Sequence, residues 1–218
     1  MLKTLWRIAT LSLGLVVFAA VPAHAQTNHW PSKPIKFIVP TPPGGSPDII
    51  SRLLAEELQK RLGQSVVVEN RAGGGGGIGM TAIARSAPDG YTIGYGNVNT
   101  LAINRTLFKK LAYDVDRDIA PVAQFSATSN LLVVRPSLEA KNLQELLAWI
   151  RKQPPGTVTG ASPGVGTTGH MSLALLEQLA GVKLNHIPYQ GSAAAYQDLL
   201  GNRVDIMFDN IGPLSSYV

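Results

Sequence analysis

Pro40-Thr41-Pro42-Pro43-Gly44-Gly45-Ser46-Pro47-Asp48 stands between a short apolar run, residues 35 to 39, and a helical pattern that starts near Asp48. The order predicts a strand that stops, a Gly/Pro loop that turns sharply, and a helix whose N-terminus is uncovered. The first amides of a helix have no intrahelical acceptor and carry partial positive charge, so such a junction can hold an anion. The same layout recurs at residues 70–79 and 162–168.

Outward from that loop, strand-like and helix-like segments alternate. Ile49, Leu53, Leu54, Leu58 and Leu62 follow helical spacing, and Gly63 is the expected C-cap. Residues 65–69 and 91–95 read as strands, with a helix over 78–87 between the five-glycine run and the turn Pro88-Asp89-Gly90. This β-α-β-α-β order implies a parallel sheet with right-handed crossovers. A less regular stretch covers 101–118. Strands are then expected at 119–125, 131–134, 158–161, 182–187 and 204–208. Helices are expected around Leu143–Ile150, over 167–180 and over 193–200. The chain thus reads as two lobes, 26–122 and 123–218, with a long strand crossing between them near residues 121–125.

The N-terminus is read apart from this core. Lys3 and Arg7 precede an uncharged, mostly apolar run, residues 8–20, and Ala23-His24-Ala25 is an A-x-A site, so residues 1–25 read as a secretory signal peptide cut after Ala25. The run is shorter than the roughly 20 residues a membrane span needs. The 218 residues contain no cysteine, which excludes disulfide staples, thiolate metal sites and cysteine nucleophiles and fits a soluble bacterial periplasmic protein. The net charge of +5 falls to +3 without Lys3 and Arg7, and the remaining basic residues are scattered, so no nucleic-acid face is expected.

Two enzyme-like patterns are present. Residues 74–79 match G-x-G-x-x-G, but a dinucleotide site needs an acid at the end of the next strand, and that strand ends Tyr95-Gly96-Asn97. Gly160-Ala161-Ser162-Pro163-Gly164 matches G-x-S-x-G, which makes a secreted serine hydrolase with Ser162 as nucleophile the enzymatic alternative. Against it, Pro163 has no N–H for an oxyanion hole, and no histidine follows Asp198, Asp205 or Asp209; the last is His186. The four histidines, His24, His29, His170 and His186, lack metal-ligand spacing, so neither metal nor cofactor is expected. Asp48 is expected to cap its helix. Asp209 ends an apolar strand, where open α/β sheets place ligands; it either meets a cationic group or begins a turn. The candidate loops 42–46, 162–168 and 190–193 contain no Lys or Arg, so the donors to an anion would be amides, hydroxyls and water. Together these loops suggest a receptor for a small carboxylate.

Several motifs in order resemble one family from Trp30 to the last residue. They are Trp30-Pro31-Ser32-Lys33-Pro34-Ile35, the PPGG at Pro42-Pro43-Gly44-Gly45 with Asp48, Val67-Val68-Glu69-Asn70-Arg71-Ala72-Gly73 and Ala87-Pro88-Asp89-Gly90-Tyr91-Thr92. The others are Ile187-Pro188-Tyr189 with Gly191, Asp198-Leu199-Leu200-Gly201 and Met207-Phe208-Asp209-Asn210. The chain resembles the periplasmic substrate-binding receptors of tripartite tricarboxylate transporters, the Bug family. The resemblance implies a two-lobed α/β fold with parallel-rich sheets, a type II periplasmic binding protein of the Venus-flytrap kind. It also implies a monomer that hands a small organic acid to membrane transporter subunits: a di- or tricarboxylate, an aromatic acid or an acidic amino acid. The ligand-binding residues it implies are Pro43, Gly44, Gly45 and Asp48, then Ser162, Gly166, Thr167, Thr168 and His170, then Gly191, Ser192 and Asp209. Thr41 stands where the family usually has an aromatic residue, and Ala194 where it has a proline. The family's chain continues past Asp209 and crosses back to complete the first lobe. This chain would then carry an incomplete first lobe, and a non-functional truncated receptor is the third reading.

Overall fold

The computed structural model describes residues 29–215, and the compact unit treated below begins at Lys33. The expected leader and its cut after Ala25 lie outside the described residues. In strand β1 (Ile35–Val39), only Lys36 is exposed. Burial on both faces is what a central parallel strand needs. β1 lies between β2 (Val66–Asn70) and β3 (Thr92–Gly94) and runs parallel to both. The crossovers are α1 (Ser46–Leu62) and α2 (Gly77–Ala84). Gly63 ends α1 in the left-handed conformation, φ 66°, and its N–H bonds to Gln59 O, as the sequence predicts. Leu54, Ala55, Leu58 and Leu62 of α1 pack with Ile35, Phe37 and Val66. Burying each large apolar side chain contributes about 1.5–3 kcal/mol.

Beyond β3 the chain forms a π turn at Asn99–Ile103, then the short helices α3 (Asn104–Leu107) and α4 (Val115–Asp118). The strand expected at 119–125 does not form, and residues 119–129 have no regular structure. Pro121 has no N–H to give a ladder, and Val122 is 92% exposed, so this stretch has neither a pairing partner nor a face to bury. It carries the chain from the first sheet to the second.

The second sheet has the order β4-β7-β5-β6. β4 (Asn130–Val134) is antiparallel to β7 (Ile206–Asn210), whereas β5 (Thr159–Ser162) runs parallel to both β7 and β6 (Asn185–Pro188). Helices α5 (Leu143–Arg151), α6 (Thr168–Ala180), α7 (Ser192–Leu200) and α8 (Ile211–Leu214) complete this half. Successive residues of a strand point to opposite faces. Ile206 accordingly joins a core with Leu146, Ile150 and Leu173, and Met207 joins another with Ala195, Tyr196 and Leu199. Two parallel-rich sheets with helices on their faces make the expected α/β binding-protein architecture. Among the described residues, no helix is long and apolar enough to cross a membrane.

Candidate functional site

The C-terminal ends of β1, β3, β5, β6 and β7 converge on one cleft of about 570 Å³. That volume lies within the usual range of small-ligand sites. The first sheet contributes Thr41, Pro42, Gly45 and Pro47 after β1, then Tyr95, Asn97 and Asn99 after β3. The crossing segment contributes Gln124, Phe125, Ser126 and Thr128. The second sheet contributes Pro163, Thr167, Thr168, Gly191, Ser192, Asp209 and Asn210. Phe125 meets Tyr95 edge-on, with ring centroids 5.9 Å apart. A larger, mostly apolar hollow of about 760 Å³ lies among Leu132, Leu143, Leu146, Leu176 and Phe208, with Lys141, Asn142 and Tyr196 also on its lining.

Of the residues expected from the sequence, Gly45, Thr167, Thr168, Gly191, Ser192 and Asp209 line the cleft. Pro43, Gly44, Asp48, Ser162, Gly166 and His170 are not on its wall. Tyr95, Asn97, Gln124, Ser126 and Thr128 line it without having been singled out. Asn97 was within reach of the strand-end rule, because it lies three residues past the end of β3.

Each loop has its own local anchor. Asp48 is 4% exposed and holds the first loop from inside α1. Its carboxylate accepts from the Gly44 N–H at 3.0 Å and from Asn70 Nδ2 at 2.9 Å, and Arg52 Nη2 lies 3.0 Å away. Burial alone would raise the Asp48 pKa, but the bonds from Arg52, Gly44 and Asn70 together hold it below the usual carboxylate value. Thr167 caps α6, its side chain accepting from the His170 N–H, and Thr168 Oγ1 donates to Asn130 Oδ1 at 3.1 Å. Gly191, at φ 116°, is the N-cap of α7. The N-termini of α1, α6 and α7 therefore all open on the cleft. In α1 Pro47 has no N–H and the Asp48 N–H bonds to Gly45 O. In α6 the His170 N–H is taken by Thr167 Oγ1, so the amides left for a ligand are those of the first residue or two of each helix. Among the described residues, no Lys or Arg lines the cleft.

Among the described residues, Asp209 is the one charged side chain on the wall, and it is 4% exposed. It accepts from Tyr196 Oη at 2.5 Å and from its neighbour Asn210 N–H at 2.7 Å. Burial pushes its pKa up, against the opposing hydrogen bonds of Ser192, Tyr196 and Asn210.

Behind the wall, Ser162 Oγ lies 2.7 Å from His186 Nε2, and the His186 ring stacks on His170 with centroids 4.1 Å apart at 7°. His170 Nδ1 accepts the Gly166 N–H at 3.2 Å. That bond requires Nδ1 to be unprotonated. Burial lowers the pKa of both rings; for His186 the neighbouring His170 lowers it further, while Glu177 opposes the shift in both. A folded-state pKa below the unfolded one means that the unfolded chain binds protons first. The stability from this pair is full above about pH 6.5 and is lost as pH falls below it. NMR titration of the imidazoles should give both midpoints below 6.5, with the urea midpoint of unfolding falling between pH 7.5 and 5.5. Midpoints at or above 6.5 would refute this.

Residues 50–218 match the family model described as the tripartite tricarboxylate transporter family receptor. The chain is similar to protein BugT of Bordetella pertussis, 38% identical over 93% of this chain and 62% of that protein. It is also similar to an R. palustris protein solved with adipate, with a TM-score of 0.83 and 34% identity over 86% of this chain and 64% of that one. MatC from Rhodopseudomonas palustris, solved with bound malate, gives a TM-score of 0.77 and 34% identity over 84% and 62%. The chain spans 55% and 62% of the length of the first two curated relatives.

Proposed function

The chain belongs to the tripartite tricarboxylate transporter receptor family, and on that premise we propose that it is a periplasmic receptor that delivers a small organic carboxylate to such a transporter. The observation that carries this reading is the convergence of three helix N-termini, α1, α6 and α7, on one cleft without a basic side chain. Amides and hydroxyls there select a carboxylate by hydrogen bonding and shape. The lobes read from the sequence, 26–122 and 123–218, are taken as the two jaws, and among the described residues they join through the irregular segment 119–129. The leader ending at Ala25 carries the chain to the periplasm, where it works as a monomer.

The chain is read as a binding protein and not as an enzyme. The Ser162–His186 distance favours a nucleophile–base pair, but Ser162 is fully buried and is not on the cleft wall. Its Oγ is engaged with Gly164 O and the Gly164 N–H, and Pro163 offers no oxyanion donor. The pair ties β5, β6 and the α6 loop together.

Calorimetric titration with adipate, malate, citrate, benzoate and glutamate tests the reading. At least one acid is expected to bind and to raise the melting temperature. A ligand at 100 times its Kd adds about 2.7 kcal/mol of stability. Flat titrations and unchanged melting with all five at millimolar concentration would defeat it.

A further inference from the structure

Three glycines predicted as ligand contacts also stand where the first-sheet half meets the second. A Cβ placed on Gly166 would lie 2.7 Å from Leu107 Cδ2, 3.4 Å from Asn104 Oδ1 and 3.9 Å from Ile103 Cγ2. A Cβ on Gly191 would lie 3.0 Å from Pro42 Cγ, and one on Gly45 would lie 3.7 Å from Ser192 Oγ. Gly166 and Gly191 hold φ of 80° and 116°, a region L side chains rarely adopt. In both places the missing side chain is what lets the opposite half come so near.

The seam at Gly166 has a second feature. Asn104 is fully buried, and its Nδ2 donates to Gly75 O at 2.9 Å, but among the described residues its Oδ1 has no hydrogen-bond partner. Gly75, on its own half, and Gly166, on the other, both stand over that oxygen. An acceptor kept from water without a donor opposes the arrangement that buries it. The apolar contact of Leu107 with Gly166 favours the approach, while the unpaired Oδ1 resists it, so ligand contacts can decide whether the seam stays shut.

We propose that Leu107 and Pro42 are the closure contacts of this clamp, seated on Gly166 and Gly191, and that Leu107 is a positioning residue that slows ligand release. The claim about release rests on the receptor reading above; the claim about closure does not. Leu107 is 39% exposed and lies outside the cleft wall, so it can be changed without touching the ligand seat.

The chain has no cysteine, so Gln59→Cys and Gln178→Cys, both exposed positions on α1 and α6, give an unambiguous spin-label pair for distance measurement on the full chain. In the Leu107→Trp background the distance distribution should move to longer values, because the larger ring props the seam open. In the Leu107→Ala background it should broaden towards them. Stopped-flow release of adipate and of malate should be about tenfold faster in Leu107→Trp, with association changed by less than threefold. Superimposable distance distributions in the parent and both variants would overturn the closure contact. An unchanged release rate in both variants would overturn the positioning role. Failure of the parent chain to bind either acid would sink the receptor reading for those acids, and the distance distributions would still decide the closure claim. Leu107→Ala, a cut-back at a half-exposed site, keeps the test open if Leu107→Trp does not fold.

Discussion

Gly169→Ala is expected to abolish the cooperative urea transition of the second-sheet half or to shift its midpoint far down. Gly169 is the second residue of α6 and is buried against β7. A Cβ there would lie 2.3 Å from Phe208 O, 3.3 Å from Phe208 C and 3.0 Å from Pro163 Cδ. The nearest atom belongs to the backbone of a strand packed on both faces, so it cannot turn aside as a side-chain tip would. Overpacking a core, with the off-rotamer side chains and backbone shifts it forces, costs about 1–3 kcal/mol and occasionally more. Against a total stability of about 5–15 kcal/mol, that loss is a large share. The same displacement would lift Thr167 and Thr168 away from Asp209, so any protein that does fold should bind poorly. Leu179→Ala, on the same helix but 78% exposed, should stay within about 0.5 kcal/mol of the parent. Equal midpoints for Gly169→Ala and the parent would show that α6 does not sit this close to β7.

The second large effect is expected from Asp48→Ala. The substitution leaves the Gly44 N–H, Asn70 Nδ2 and the Arg52 guanidinium without their common acceptor. Asn70 Nδ2 still donates to Thr41 O and Arg52 Nη2 still donates to Asn70 Oδ1, so the Gly44 N–H is the donor that loses its acceptor, at a cost of about 1–3 kcal/mol when buried. Arg52 is half exposed and regains water, so its share is discounted. The expected loss is about 1–2 kcal/mol at pH 7, read from urea unfolding. Asp48→Asn should lose less, because an amide oxygen can still accept one of the bonds. Beyond stability, the Gly44–Gly45 loop loses the carboxylate that fixes it, so ligand affinity should weaken in both variants although Asp48 is not on the cleft wall. An Asp48→Ala variant as stable as the parent would refute the anchoring role.

These two residues also show how far the sequence could be read. Asp48 was legible only in part: the local Gly/Pro turn marks a helix start, but the N-cap is Gly45, without a side-chain bond, and Asp48 is the third residue of α1, reaching back to the Gly44 N–H instead of capping. Gly63 was legible from the local pattern, as the glycine after the last apolar position of a periodic run. Gly169 was not singled out. Its need for a bare Cα comes from Phe208, which is distant in sequence and reaches it only through the sheet order. Ser162 and His186 met for a similar reason. The parallel β5–β6 register sets Ser162 opposite Pro188 and Gly160 opposite His186. No chain-order rule for catalytic triads contains that contact. The stretch at 119–125 misled because its apolar content reads as a strand, while strand formation depends on a neighbour with free amides. Asn97, Ser126 and Thr128 lie on the cleft because strand ends and the crossing segment bring them there, and no motif marks them.

The lack of basic side chains on the cleft wall bears on how the molecule handles changing ionic strength. Attraction between full charges fades with added salt, because counterions gather around each partner over a Debye length. Aligned peptide dipoles at a helix start act within the first turn, at contact distance, where little electrolyte fits between the partners. Asp209 is the wall's one full charge, and its burial pushes it towards the neutral acid. Capture by such a seat relies on fit at contact more than on long-range pull, so its grip should change little between dilute and saline surroundings.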